Sequence, residues 1–357
     1  MNEIHAHFLA QAKACDGLGS PFTARLCRIL ARQLDETTHT GKAVLGWRGD
    51  VRADAVALRL CGALHKLVLT SADAGLTASY PPHEADDNAV AAAITSAIRR
   101  FDDCLVAGLA SAPQTNEIAR SALLLLGLLA IARESGLRLD LHEIGASAGL
   151  NLLFDRFHYR YGDAEWGDPG SPVRLAPEVR GAAPPLGGAL SVQSRSGCDI
   201  APIDIGDPAA RLRLRSYVWA DQAMRLARLD AALAIAAEFP PRIVRADAAC
   251  FIAQALAARS AGSGFVLLHS IMWQYLPDAA KASIAAHMKQ AGAEATEAAP
   301  VYWLRMEPLS ASDAFATLSL TQWPGEGVPG TRGRGGETRH LAHCDYHGRW
   351  IQWLDQP

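Results

Sequence analysis

A glycine-punctuated turn contains the residues of this chain that are best suited to chemistry. The strand-like run at residues 138–144 includes Glu143 next to its end, and Gly145, Ser147 and Gly149 follow it. The two glycines permit a positive φ or a close approach of a ligand to the backbone. Amides that start a following helix would form a partial positive pole. The turn is therefore suited either to hold a nucleotide-like ligand or to present Ser147 as a nucleophile.

Composition indicates a globular chain that binds a small molecule. Half of the 357 residues are hydrophobic, 20% are charged and 7% are aromatic, which is unlike a disordered protein. The formal net charge of −3 argues against broad electrostatic binding to nucleic acid or to acidic membranes. We therefore expect a small-molecule partner, no nucleic acid and no membrane, and the oligomeric state stays open.

Cysteine usage and the first residues predict a cytoplasmic protein. The seven cysteines are scattered without a Cys-x-x-Cys pair, and residues 1–5 have neither a basic nor an apolar leader pattern. The longest apolar stretch, residues 121–132, is too short for a bilayer, which takes about 20 residues, and predicts a buried helix.

Periodicity divides the chain into two regions. Residues 1–112 show helical spacing throughout and predict an all-helical N-terminal cap domain. From residue 113 to 357, strand-like runs alternate with helices, which is typical of βαβ units around a mainly parallel sheet. The predicted strands are residues 138–144, 189–194, 242–245, 265–270 and 301–306, and a closing hairpin at 315–322 and 340–354. Residues 157–188 predict an irregular insertion, either a lid or a surface loop.

The turn and its acidic neighbour resemble the first motif of class I methyltransferases that depend on S-adenosylmethionine (SAM). The resemblance implies an α/β fold with a Rossmann-like methyltransferase sheet of five parallel-type strands and a C-terminal antiparallel hairpin, with SAM as cofactor. The residues that it implies around the cofactor at this turn are Glu143, Gly145, Ala146, Ser147, Gly149 and Asn151.

Later strand ends extend the resemblance. Asp199 matches the residue that holds the ribose hydroxyls, because a carboxylate can accept two hydrogen bonds from a diol. Asp247 matches the acceptor for the adenine amino group, and Ser270 lies at the cofactor end of the fourth strand. His269 is the candidate general base for an acceptor hydroxyl, amine or thiol. The alternative for the two aspartates is a turn or a helix N-cap, and for His269 with Ser270 it is a satisfied polar pair.

Four further residues are candidates for the substrate pocket. Glu117 and Arg120 open the helix before the turn, and Trp273 and Tyr275 follow the fourth strand. The alternative for the first two is helix capping with an ion pair, and for the aromatic residues it is packing.

The residues leave two other functions open. Gly145-x-Ser147-x-Gly149 also fits the nucleophile elbow of α/β-hydrolases, and Ser147, Asp247 and His347 follow one another in the hydrolase order. Against this, the region upstream is helical where a hydrolase places strands. The third function is a non-catalytic ligand-binding protein on a methyltransferase fold.

His343, Asp345 and His347 would share one face of a strand, but no matching ligand pair stands elsewhere in the chain at a recognisable spacing. We interpret these residues as structural and expect no metal site.

The order of elements also resembles an uncharacterised bacterial family, labelled as a domain of unknown function, with a helical N-terminal region and a methyltransferase-like core. One spacing departs from the usual methyltransferase pattern. Gly149 and Asp199 are roughly 50 residues apart rather than about 20.

The turn motif and the later strand ends nevertheless favour one function. From them we expect a SAM-dependent methyltransferase with an unidentified small-molecule acceptor.

Overall fold

The structure is a computed structural model that describes residues 3–310, 312–325 and 336–354. Twelve α-helices lie in these ranges: α1 Glu3–Gly17, α2 Pro21–Gln33, α3 His39–Leu45, α4 Val56–Leu69, α5 Ala74–Ala78, α6 Asp87–Arg100, α7 Asp102–Leu109, α8 Ser121–Ser135, α9 Pro208–Ser216, α10 Ala223–Glu238, α11 Ala248–Ala257 and α12 Asp278–Ala293.

Strands occupy much of the second half of the described chain. They are β1 Arg138–Ile144, β2 His158–Tyr161, β3 Ala164–Gly167, β4 Arg174–Leu175, β5 Glu178–Arg180, β6 Val192–Asp199, β7 Arg242–Arg245, β8 Ser263–Ser270, β9 Val301–Glu307, β10 Ala316–Trp323, β11 Glu337–Cys344 and β12 Trp350–Trp353. Short 3-10 helices lie at Ile118–Arg120, Leu150–Arg156 and Trp273–Tyr275.

The chain folds into two compact units. The first comprises Met1–Thr115 with Asp204–Leu229, and the second comprises Asn116–Ile203 with Asp230–Pro357. Residues 204–229, which the sequence pattern groups with the α/β region, belong to the first unit. A specific contact explains this, because the Asp221 carboxylate accepts hydrogen bonds from the Ser20 hydroxyl and the Phe22 amide at the start of α2.

Helices alone form the regular structure of the first unit in the residues that are described. Helix α2 begins as its sequence predicts, with Ser20 as the N-cap and Pro21 in the first helical position. Its buried face and that of α4, which includes Leu60 and Leu64, contribute to one apolar core.

The second unit contains a mixed α/β arrangement around a nine-stranded, mostly parallel sheet. The strand order is β5-β12-β11-β10-β9-β8-β1-β6-β7. The strands β7, β6, β1, β8 and β9 are parallel, whereas β10, β11 and β12 continue from β9 as antiparallel neighbours. The expectation of five parallel strands followed by antiparallel ones is confirmed for the directions of the strands. The predicted final strand at 340–354 is in fact two strands, because Gly348 with positive φ turns the chain between them.

The predicted irregular insertion at 157–188 contains four short strands. The strands β3, β2 and β4 form a small separate sheet, and β5 joins the edge of the large one beside β12. Tyr159 and Tyr161 are fully buried, and the Tyr161 hydroxyl donates to the carbonyl of Ala122 in α8. These contacts are long-range, which is why the short segments showed little periodicity. The insertion also accounts for the long spacing between Gly149 and Asp199.

Helix α8 packs against the sheet and leads into the strand that carries the glycine turn. Every residue from Ser121 to Ala132 is buried, as an all-round apolar helix predicts. Gly127 permits a close approach, because a Cβ atom there would lie 2.3 Å from Leu304 Cδ1 in β9.

None of the described helices has both the length and the apolarity that crossing a membrane requires.

We therefore expect Gly127→Val to loosen the packing of α8 on β9. The added side chain overlaps Leu304, and overpacking of this kind lowers the free energy of unfolding by about 1–3 kcal/mol. Urea denaturation measures this change. The matched control is Gly187→Val, since a Cβ atom at Gly187 would meet nothing within 4 Å. Equal stability of the two variants would contradict the packing.

Candidate functional site

The sheet reverses its winding beside β1. The strands β6 and β7 extend the sheet on one side of β1, and the later strands β8 and β9 extend it on the other. In open α/β sheets, ligands bind at the carboxyl ends of the strands where this reversal occurs. In this chain these ends carry Glu143, the glycine turn and Ser270. The fold therefore places most of the sequence-based candidates at the expected edge.

Glu143 is a buried acid at this point. It lies between Gly197 of β6 and Leu268 of β8, and only 2% of its surface is exposed. Burial raises the pKa of its carboxyl to about 8, with the charge of Arg120 opposing the rise and that of Asp199 adding to it. Its Oε2 atom is buried and has no hydrogen-bond partner among the described residues. Below this pKa the carboxyl is mostly uncharged.

Arg120 reaches the ends of two strands. Its Nη1 donates to the Ser270 carbonyl at 3.4 Å, and its Nε donates to the Tyr346 carbonyl at 3.0 Å. The structure thus brings Arg120 and Ser270 together near Glu143, although Ser270 contributes a backbone atom. Glu117 is buried and accepts a hydrogen bond from the Ala119 amide at 3.2 Å, which is the capping role that the sequence left as the alternative.

The glycine turn is held in a left-handed conformation at three positions. Gly145 and Gly149 have φ of 66° and 72°, and Ser147, which is not a glycine, has φ of 55°. The Ser147 amide donates to Asp199 Oδ2 at 2.9 Å, and its carbonyl accepts from Ile203 at 3.1 Å. These bonds stabilise the strained residue. The tight turn that the sequence predicts is therefore present.

The two glycines serve packing as well as conformation. A Cβ atom at Gly145 would lie 2.9 Å from Met272 Cγ, and one at Gly149 would lie 2.5 Å from Ile243 Cδ1. Ala146 is fully buried, and its amide donates to the Cys198 carbonyl at 3.0 Å. Larger residues at 145 and 149 would displace neighbouring side chains of the chain itself.

The predicted helix after the turn differs from the observed one. A seven-residue 3-10 helix, Leu150–Arg156, follows the turn. The amides of Ala148 and Leu150 both donate to Asn116 Oδ1 at 3.2 Å, so two amides that the sequence offered to a ligand are satisfied internally. Asn151 is buried and accepts from the Ser121 hydroxyl at 2.8 Å. The structure thus gives Asn151 a partner in α8, a role that sequence reasoning did not foresee.

Both candidate aspartates bind the backbone. Asp199 accepts from the Ser147 amide with one oxygen and from the Ala201 amide with the other, each at 2.9 Å. Asp247 is exposed and caps α11, because its Oδ1 accepts from Ala249 and Cys250. A carboxylate oxygen can accept more than one hydrogen bond, so each group retains capacity for a ligand.

The serine does not show the contacts of an activated nucleophile. Ser147 Oγ is buried and lacks a hydrogen-bond partner within the described ranges, whereas such a nucleophile contacts a base. Asp247 is engaged in the cap of α11.

Sequence reasoning missed Glu307, the partner of His269. His269 is completely buried, and its Nδ1 lies 2.8 Å from Glu307 Oε1. The same oxygen accepts from the amides of Met272 and Trp273 at 3.0 and 3.2 Å. Ile271, a β-branched residue with φ of 51°, precedes this turn. An acidic residue at a strand end, the signal that singled out Glu143, would also have identified Glu307.

The aromatic candidates differ in position. The Trp273 ring stacks on His269, with 5.1 Å between centroids and 15° between planes. Tyr275 is 69% exposed.

In the part of the chain that the structure describes, no group of three or more His, Cys, Asp or Glu side chains could hold a metal ion. Asp345 forms an ion pair with Arg349 at 2.7 Å.

We expect Glu143 to make stability depend on pH. Its carboxyl ionises near 4.5 in the unfolded chain but at about 8 in the folded one. The folded state therefore retains the proton over this interval, and its free energy of unfolding falls, relative to that of Glu143→Gln, as pH rises from about 4.5 to about 8. Above this range the difference is constant. Urea titrations at about pH 5, 7 and 9 measure the change.

The control for this prediction is Glu238→Gln, because Glu238 is an exposed residue at the end of α10. Its difference from the wild type should vary little with pH. If Glu143→Gln and Glu238→Gln gave parallel curves, Glu143 would not be a buried acid.

Comparison with known proteins identifies a family. No curated protein and no solved structure matches the chain. A family model matches residues 5–353, which is nearly the whole chain. Its description is "Uncharacterized protein conserved in bacteria (DUF2332)". The chain therefore belongs to this family, in agreement with the bacterial family that its element order resembles.

Proposed function

We propose that the second unit binds SAM and transfers its methyl group to a small-molecule acceptor. The observation that carries the proposal is the buried Glu143 carboxyl, whose Oε2 has no partner in the described chain and which lies where the sheet reverses its winding. Nearly all buried polar atoms of proteins are hydrogen-bonded, so such an atom at a reversal point favours a ligand.

Two carboxyl groups beside the turn, those of Glu143 and Asp199, have acceptor capacity that suits this cofactor. SAM, when bound, supplies an activated methyl group, a positive sulfonium and an ammonium. A cation beside Glu143 would lower the pKa of its carboxyl and stabilise the carboxylate. Asp199 has acceptor capacity left for hydroxyl groups after its bonds to the Ser147 and Ala201 amides.

His269 is the proposed base. Its Nδ1 bonds to Glu307, so in the neutral ring Nδ1 carries the proton and Nε2 carries the lone pair. An acceptor proton would pass to Nε2. Positioning of the two reactants accounts for most of the rate in this proposal, because in-line transfer requires little else of the protein.

A specific observation also favours the second candidate, a ligand-binding protein without catalysis. The Asn116 side chain accepts hydrogen bonds from two amides of the turn, and the side chain of Met272 fills the space beside Gly145. A protein of this kind would bind SAM or its demethylated product without consuming them. Release of the demethylated product in the presence of an acceptor distinguishes the two candidates.

Calorimetric titration with SAM and with its demethylated product tests the proposal. We expect the wild type to bind both, and Glu143→Gln to bind SAM about tenfold or more weakly, since it cannot offer a carboxylate to the cation. The control Glu238→Gln should bind as the wild type does. Absence of binding to the wild type at about millimolar ligand would contradict the proposal.

A further inference from the structure

A second set of polar side chains lies on one face of strands β8, β9 and β10. We call this set the polar face; it comprises His269, Arg305, Glu307, Thr317, Ser319 and Thr321. Register places them together, because His269 pairs with Arg305, and Thr317 and Ser319 pair with Glu307 and Arg305. Directly paired residues project to the same side of a sheet. The opposite side carries Leu304, which packs on α8.

The polar face contains a concentration of unsatisfied atoms. His269 Nε2, Arg305 Nε, Glu307 Oε2 and Thr317 Oγ1 are buried and have no hydrogen-bond partner among the described residues, and the same holds for Trp303 Nε1 on β9. His269 and Thr317 are 0% and 1% exposed. Five such atoms on three adjacent strands are unusual, since a buried polar atom normally has a partner. They leave this face with hydrogen-bonding capacity for a polar molecule.

The charges indicate what kind of molecule this is. Arg305 Nη2 donates to the hydroxyls of Thr321 at 2.6 Å and Thr338 at 3.2 Å, so the partners that it finds in the described residues are neutral. Burial lowers the pKa of Arg305, against the opposing charge of Glu307. A guanidinium in this position is stabilised by an anion, and a carboxylate matches its planar geometry.

The end of the polar face at Glu307 and His269 is suited to a hydrogen-bond donor. Glu307 Oε2 is an acceptor without a partner in the described chain, and Nε2 of neutral His269 is a second acceptor when Nδ1 donates to Glu307. An anion at this end would be repelled by Glu307. A hydroxyl or amino group would instead donate to these atoms.

Exposure shows where a molecule reaches the face. Thr338 and His340 on β11 are exposed, Arg305 is half-buried, and His269 on β8 is fully buried. The His340 ring contacts the Ser319 hydroxyl at 3.0 Å, which makes β11 continuous with the polar face. Exposure thus decreases from β11 toward β8, so the β11 side is the end of the face nearest to solvent.

We propose that the polar face binds a small organic acid with a carboxylate at Arg305 and a hydroxyl or amino donor at Glu307 and His269. The Cα atoms of Arg305 and Glu307 are about 7 Å apart, because the residues are two positions apart on a strand. The indole of Trp303, whose ring centre lies 4.5 Å from the Arg305 guanidinium carbon, provides an aromatic surface beside the carboxylate end. This binding does not depend on methyl transfer; if both proposals hold, the donor group beside His269 is the methyl acceptor.

Calorimetric titration with three probes, without SAM, tests this site. The probe 4-hydroxybenzoate has both ends, 4-hydroxybenzamide lacks the charge and benzoate lacks the donor. We expect 4-hydroxybenzoate to bind to the wild type about tenfold or more tightly than either of the others. Arg305→Gln should remove this preference over the amide, whereas Arg242→Gln, at an exposed arginine of β7, should preserve it.

Equal affinities for the three probes, or no binding of 4-hydroxybenzoate below about 10 mM, would overturn the proposal. An unchanged preference in Arg305→Gln would also overturn it. The comparison of probes on the wild type remains decisive if that variant does not fold. Because no SAM is present, failure here is distinct from failure of the SAM titration.

Discussion

The constraint on which the second unit depends is the burial of an ionisable carboxyl where the sheet reverses its winding. Glu143 lies between the strands that lead away on either side of β1, and Arg120 and Asp199 are the charges that affect its pKa. A carboxyl in this position is stable when it is uncharged, and it gains from a cationic ligand. The surrounding bonds hold the turn in place but leave Oε2 without a partner in the described chain.

Two glutamates near the ends of β1 and β9, the strands on either side of β8, have different environments and therefore different roles. Glu307 Oε1 contacts the His269 imidazole and accepts hydrogen bonds from the amides of Met272 and Trp273, so it orients the histidine and anchors the turn after β8. Glu143 differs, because its Oε2 atom has no hydrogen-bond partner in the described residues. One carboxyl thus serves the architecture of the site, and the other serves ligand binding in our proposal.

The local sequence pattern predicted strands and the glycine turn, but it missed the features that depend on contacts between residues far apart in sequence. Strands β1 and β7 match their predicted bounds, since apolar runs and glycine turns are local signals. The pairing of Asp199 with Ser147 and the contact of Asn116 with the turn join residues that are far apart in sequence. The short strands β2–β5 depend on contacts with α8 and β12. Tertiary contacts of this kind do not change the local periodicity of the sequence. The sequence therefore predicted where the site lies but not the hydrogen bonds within it.

The state of Glu143 is the most direct test of the account. Carbon-13 NMR of side-chain carboxyls, titrated with and without SAM, compares the wild type with Glu143→Gln. We predict one resonance with a midpoint of about 8 in the wild type that is absent from the variant, and a lower midpoint when SAM is added. If no glutamate titrates above about pH 6, Glu143 is not a buried acid, and if SAM leaves the midpoint unchanged, the ligand does not bind beside it.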